Sequence, residues 1–159
     1  MLNMRTIAVI GGGAAGLAAA ISAAQEICSD QREICIYESG PRVGKSILAT
    51  GNGRCNFSNA SITAQVYYQA DFVEDAFSTM PPREVFKWFR RLGLTWIEES
   101  EGRLYPSTLR ANTVVDVLRL AARDLSVQEC TDTEVIAVSP VQGKFLLTLN
   151  NDQTRWADA

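Results

Sequence analysis

Histidine is missing altogether from these 159 residues. The side chain most often used as a general base or neutral metal ligand is therefore excluded, and no catalytic acid or base can be named from the sequence. Cysteine is scarce: Cys28, Cys35, Cys55 and Cys130 form no CxxC pair, so no metal site is expected. Cys28, Cys35 and Cys130 read as reduced, packed residues, which suits a cytoplasmic protein. A strong charge of either sign is lacking too. The net charge of −3 provides no basic field for nucleic acid. Residues 5–24 have the order of a secretory signal, with Arg5, an apolar stretch and then small residues, but glycines interrupt it. Nothing else is apolar enough to cross a bilayer, so no membrane role is expected. The sharpest gap is local: residues 39–70 contain no Asp or Glu but carry Arg42, Lys45 and Arg54, a window of +3 in a chain of net −3.

Glycine is concentrated in the same part of the chain, with eight of its eleven residues within the first 53. A basic, glycine-rich, acid-free loop suits an anionic cofactor, although chance charges on a solvated loop account for it equally well. The glycine run just before it is more informative. Thr6-Ile7-Ala8-Val9-Ile10 reads as a buried strand, Gly11-Gly12-Gly13-Ala14-Ala15-Gly16 as a turn into an Ala-rich helix, and Ile34-Cys35-Ile36-Tyr37 as a second strand closed by Glu38. Strand, glycine turn, helix, strand and acid make a dinucleotide-binding unit. Gly11 allows the tight turn, Gly13 lets a pyrophosphate approach the backbone, and Gly16 lets the helix lie close on the strand. The N–H groups around Gly13, Ala14 and Ala15 then face phosphate at the positive end of the helix dipole. Glu38, 22 residues past Gly16, is placed to accept hydrogen bonds from both ribose hydroxyls and to repel a 2′-phosphate. Ser39 beside it joins the candidate site. The bland alternative is a Gly/Ala-rich turn that merely packs a helix tightly.

The remaining pattern is α/β. A helix is expected over 14–27, with Leu17, Ile21, Ala24 and Cys28 on one face, and an irregular loop over 39–60. Two short helices follow at 69–79 and 82–92, divided by Pro81-Pro82. The aromatic stripe Val85, Phe86, Trp88, Phe89 and Leu92 reads as core, and Gly93 as a stop. A small hairpin is expected from 94–97 and 103–105, a helix over 113–125, and a strand over 126–130. Strands at 134–139, 144–149 and 154–157 form an antiparallel meander. The fold class is therefore a Rossmann-like half, parallel strands with flanking helices, plus a β-meander at the C-terminal end.

The run Gly44-Lys45-Ser46-Ile47-Leu48-Ala49-Thr50-Gly51-Asn52-Gly53-Arg54-Cys55-Asn56-Phe57-Ser58-Asn59, taken with the glycine turn, resembles the BaiN-like flavoproteins. These are bacterial NAD(P)/FAD-dependent oxidoreductases, also described as aminoacetone-oxidase-like FAD-binding enzymes. Glu101-Gly102-Arg103-Leu104-Tyr105-Pro106-Ser107 is similar to a further segment of that family, and the resemblance runs from about residue 5 to 159. It implies FAD rather than NAD in the first site, with NAD(P)H as an electron donor. The pyrophosphate would lie on the glycine turn, the adenosine ribose on Glu38, the flavin side along Lys45 to Asn56, and the adenine against Val135. Chemistry agrees along that loop. Thr50, Gly51, Asn52, Gly53, Arg54, Cys55 and Asn56 offer close backbone approach at the glycines, polar donors and acceptors at the asparagines, and with Lys45 a positive charge for a phosphate or reduced ring. Ser46 departs from the family, where a second basic residue is common. Cys55 reads either as a redox thiol whose pKa Arg54 lowers or as a small packing residue.

The family's proteins are much longer. By that comparison residues 1–159 form the N-terminal part of a FAD-binding domain, without the inserted substrate domain and the C-terminal segment that closes the FAD site. The expected function is the FAD-binding portion of a flavin-dependent oxidoreductase, exchanging hydride with NAD(P)H or a small organic substrate. By itself such a portion is expected to bind FAD weakly and to be inactive, with the rest of the enzyme as its partner. Two other readings stay open: an NAD-dependent dehydrogenase fragment, disfavoured because Tyr67, Tyr68 and Tyr105 have no Lys at helical spacing, and a non-catalytic nucleotide-binding module.

Overall fold

The computed structural model describes residues 4–27 and 31–159. They divide into two units, one made of the chain up to Ile47 with Leu118–Ala159, the other of Leu48–Val117.

The first unit is built on three parallel strands in the order β1-β2-β6, formed by Arg5–Ile10 (β1), Arg32–Tyr37 (β2) and Gln128–Cys130 (β6). The helix α1, Ala14–Glu26, follows β1 and lies against β1 and β2. It buries Leu17, Ala20, Ile21 and Ala24, the i, i+3, i+4, i+7 stripe that a 3.6-residue period brings to one face. Arg32 fastens the base of this layer. Its Nε donates to the carbonyls of Ala24 (3.1 Å) and Ile27 (2.8 Å), and its Nη1 donates to that of Leu125 (3.1 Å). One buried cation thereby satisfies carbonyls at the C-terminal ends of two helices, where the dipole is negative. The meander is present as an antiparallel sheet β7-β8-β9: Val135–Val141 (β7), Lys144–Leu149 (β8) and Thr154–Ala157 (β9). β7 runs on through Pro140, which pairs with Phe145. Beyond β9, Asp158 N donates to Thr6 O (2.7 Å) and Ala8 N donates to Ala159 O (2.9 Å), so the backbone there lies along the outer edge of β1.

Cys35 and Cys130 require a correction. Rather than two reduced thiols, they form a disulfide between the neighbouring parallel strands β2 and β6, with their Cα atoms 6.5 Å apart. The register pairs Tyr37 with Cys130, so Cys35 is two residues away along β2 and its side chain is on the same face. A sequence separation of 95 gives no local sign of such a pairing. The expectation for Cys28 lies outside the described residues.

In the second unit the expected hairpin is one half of a three-stranded antiparallel sheet, β3-β5-β4, from Ser58–Asn59 (β3), Trp96–Glu98 (β4) and Arg103–Pro106 (β5). The loop over 39–60 is more ordered than its composition indicates. It holds a short helix, Lys45–Leu48 (α2), a tight helical turn over Thr50–Gly53, and β3. Ala70–Thr79 (α3) and Pro82–Arg91 (α4) are the two helices separated at Pro81. Neither buries any residue fully. The α4 stripe instead joins an edge-to-face aromatic cluster, with Phe57 5.3 Å from Phe89 and 5.8 Å from Trp96, and Trp88 5.0 Å from Phe89. Such contacts add about 0.5–1.5 kcal/mol each beyond area burial. The helix Ala111–Asp124 (α5) contributes residues to both units. No described helix is long and apolar enough to cross a membrane.

Candidate functional site

The glycine turn connects β1 to α1, and each glycine meets different surroundings. Gly11 has φ +96°, the left-handed region that glycine adopts freely. A methyl group on Gly16 would collide with the Gly11 carbonyl and touch Val9, so this glycine sets how closely α1 lies on β1. A methyl on Gly12 would collide with Val43, which is fully buried. Gly13 differs from all three: its only neighbour would be the Ser46 hydroxyl at 3.6 Å. Protein packing therefore does not require a glycine at 13, and the backbone there faces open space.

That open face is a hydrogen-bond donor surface. Gly13 is the N-terminal boundary residue of α1, with extended backbone and no side-chain cap, and the first turn carries no acid. The N–H groups of Gly13, Ala14 and Ala15 meet no acceptor among the described residues. They are the orphan donors every helix start presents, at the positive end of its dipole.

Glu38 closes one side. Its carboxylate accepts hydrogen bonds from Gly40 N and Gly12 N, both at 2.8 Å, and a longer one from the Ser39 hydroxyl at 3.5 Å. The backbone N–H of Gly40, then that of Gly12, holds its pKa below the ordinary carboxylate value, with a smaller contribution from the charge of Lys45. An acid at the end of β2 is thus ionised and held beside the glycine turn. The neighbouring backbone is tied to it: Thr133 N donates to Glu38 O and Asp132 N to Gly40 O, each at 2.9 Å. Val135 follows two residues later as the first residue of β7. Ser39 is exposed and Lys45 is at the start of α2.

Two contributors escaped sequence reasoning. Gly44 N donates to Gly12 O at 2.7 Å, and buried Val43 packs on Gly12, so the segment after Glu38 is anchored to the turn. This brings Ser46 opposite Gly13, the position marked in sequence only by a missing positive charge. The positive φ of Gly44, +73°, is the physical reason for that glycine.

The Thr50–Asn56 segment lies in the second unit and folds as a left-handed sequence, with φ of 54° at Gly51, 54° at Asn52, 79° at Gly53 and 58° at Cys55. Three of these four residues are of types that tolerate the region. A methyl on Gly51 would strike Asn56 N and approach the Tyr105 ring. Arg54 donates to both carboxylate oxygens of Glu99, at 3.0 and 3.1 Å, and stacks 4.3 Å over Tyr105. Its charge is therefore largely matched within the unit. Cys55 is buried, and burial pushes its thiol pKa up. This environment suits packing rather than an activated thiolate.

Residues 5–159 match the HI0933-like protein Rossmann domain family. The chain belongs to that family. The 3-dehydro-bile acid delta(4,6)-reductase of Clostridium scindens is 35% identical over 137 residues, which cover 85% of this chain and 33% of the relative. The ribosomal RNA dihydrouridine synthase of Escherichia coli is 28% identical over 144 residues, covering 89% of this chain and 35% of the relative. The chain thus spans about a third of the length of these curated relatives. A solved structure of Thermovibrio ammonificans THI4 superposes with a TM-score of 0.55 at 18% identity, over 94% of this chain and 48% of that one, which shows the fold. The HI0933-like chain is therefore a Rossmann-type nucleotide-binding protein of a flavoprotein oxidoreductase family, the one its sequence motifs resemble.

Proposed function

We propose that the first unit holds the adenosine diphosphate part of FAD and that the chain supplies the FAD-binding portion of a flavin-dependent oxidoreductase. The observation that carries this is the pairing of unpartnered helix-start amides at Gly13 to Ala15 with an ionised Glu38 next to them. The residues suit the group. Pyrophosphate oxygens would accept from the amides of Gly13, Ala14 and Ala15. The ribose hydroxyls would donate to Glu38, with Gly11 and Gly16 shaping the turn, Ser39 and Lys45 beside it, and Val135 on the adenine side. Family membership supports assigning Thr50, Gly51, Asn52, Gly53, Arg54, Cys55 and Asn56 to the flavin side. There the left-handed backbone would present amides and the asparagines would present polar groups, while Cys55 packs.

Bound FAD would supply hydride acceptance and donation, with NAD(P)H or an organic molecule as the other party. The chain's own contribution is binding and orientation. The carboxylate of Glu38 excludes a 2′-phosphate by charge, so this site takes FAD and not NADP. The use of NAD(P)H as electron donor suits a cytoplasmic location, which is our reading of where the protein works.

The test is calorimetric titration of the whole chain with ADP, with 2′-phospho-ADP as the control. ADP binding that weakens at least tenfold in Glu38→Gln, with the 2′-phosphorylated analogue binding worse than ADP to the parent, supports the reading. Equal affinity of parent and variant for ADP overturns it.

A further inference from the structure

The second unit contains a cavity of about 790 Å³ that shares only Asn56 with the residues assigned to FAD. It is an open groove bordered by the segment around β3, by α3 and by α4. Its apolar lining is Phe57, Ile62, Val66, Tyr67, Phe77 and Val85. Tyr67 meets Phe77 edge to face at 6.2 Å, and Phe57 is held from behind by Phe89 and Trp96. Its polar lining is already largely organised. Asn59 donates to Glu101 O (2.7 Å) and accepts from Ser61 N (2.8 Å). Asn56, with its amide turned to donate to Ser58 O (2.8 Å) and Leu104 O (3.2 Å), presents its side-chain oxygen as an acceptor. The hydroxyls of Ser58 and Ser61 have no partner among the described residues and remain available to a ligand.

Charge decides what fits. No Lys or Arg lines the cavity, and its single ionisable acid, Glu101, has its carboxylate 3.3 Å from Arg103. A phosphate or carboxylate placed inside would find no cation and would face Glu101. The volume lies within the range of sites for small organic ligands, which combine an apolar lining with a few polar groups. Asn56 belongs both to this cavity and to the segment assigned to the flavin.

We propose that this cavity binds the organic substrate of the flavin chemistry, and that the part of that substrate it holds is an uncharged, largely apolar ring system with one hydrogen-bonding group. The ring system packs against Phe57, Tyr67 and Phe77, and its polar group meets Ser58, Ser61 and the Asn56 oxygen. Any anionic tail lies outside. The assignment to substrate rests on the flavin reading; the chemistry of the pocket does not.

The experiment uses the whole chain and progesterone, a neutral fused-ring ketone, followed by tyrosine and tryptophan fluorescence and by calorimetry. A uridine-containing RNA oligonucleotide and uridine monophosphate are the competitors. Progesterone is expected to bind one to one. Val85→Trp, which fills the cavity from α4, should weaken it at least tenfold while leaving ADP affinity unchanged. Phe77→Ala gives the same test without added bulk, should the larger residue disturb folding. Progesterone binding indifferent to both variants, or its displacement by uridine monophosphate or RNA, overturns the proposal. Loss of ADP binding alone, with progesterone still bound, defeats the FAD reading and leaves the pocket standing.

Discussion

Gly13 and Gly16 lie three residues apart in one turn, yet replacing each with alanine should have opposite consequences. At Gly16 the added methyl would lie on the Gly11 carbonyl and against Val9. The backbone carbonyl cannot move without opening the turn, so α1 must lift from β1. Overpacking costs about 1–3 kcal/mol where side chains can yield; against fixed backbone the cost reaches the upper end or beyond. About 3 kcal/mol lowers Tm by roughly 6–12 °C in a chain of this size. At Gly13 the methyl meets only a hydroxyl at 3.6 Å, in backbone at φ −75° that any residue adopts. The unfolded chain loses freedom, which favours folding by about 0.4–1 kcal/mol, whereas alanine is the poorer residue at a helix start by a similar amount. The two effects nearly cancel, and stability should change by less than about 1 kcal/mol. Binding reverses the order, because that methyl occupies the space through which a pyrophosphate reaches the amides. Urea denaturation and ADP calorimetry on the two variants separate the effects. Gly13→Ala should keep its urea midpoint and lose ADP affinity at least tenfold, about 1.4 kcal/mol. A Gly13→Ala protein that binds ADP as the parent does would refute the placement of the diphosphate.

Glu38 should impose a pH dependence. Its folded pKa lies below the unfolded value, so it contributes stability above the unfolded carboxylate pKa, and that contribution disappears as pH falls through the folded one; acid titration of Glu38→Gln by circular dichroism should show a shallower loss. Arg32→Met should destabilise the first unit by about 2–3 kcal/mol, since three hydrogen bonds from a buried cation to carbonyl oxygens are removed, as read from chemical denaturation. Alkylation without reductant, followed by mass spectrometry, should leave Cys35 and Cys130 unmodified and linked; recovering both as free alkylated thiols would refute the pairing. Glu99→Gln should cost less than about 1 kcal/mol, because the Arg54–Glu99 pair is partly exposed, and a larger loss would mean Arg54 depends on Glu99 for its stacking on Tyr105.

The local elements were legible because each is dictated by short-range chemistry. Gly11 permits a turn only glycine makes cheaply, the α1 stripe has helical period, and the meander strands alternate between turn residues. The acid at the end of β2 was legible for the same reason, since its distance from the turn follows from one helix and one strand. Long-range proximity was not. The Cys35–Cys130 link depends on β6 returning beside β2, and the contact of Val43 with Gly12 depends on how the chain turns after Glu38. The order within residues 39–60 has no period to reveal it, being built from left-handed residues and a two-residue strand whose partner, β5, is distant in sequence. The sequence by itself determined the strand, glycine turn, helix and strand unit and the acid that closes it. Tertiary structure alone decided which donors stay unpartnered, which cation is already matched and where a largely apolar cavity opens, because burial and pairing belong to groups brought together only by folding.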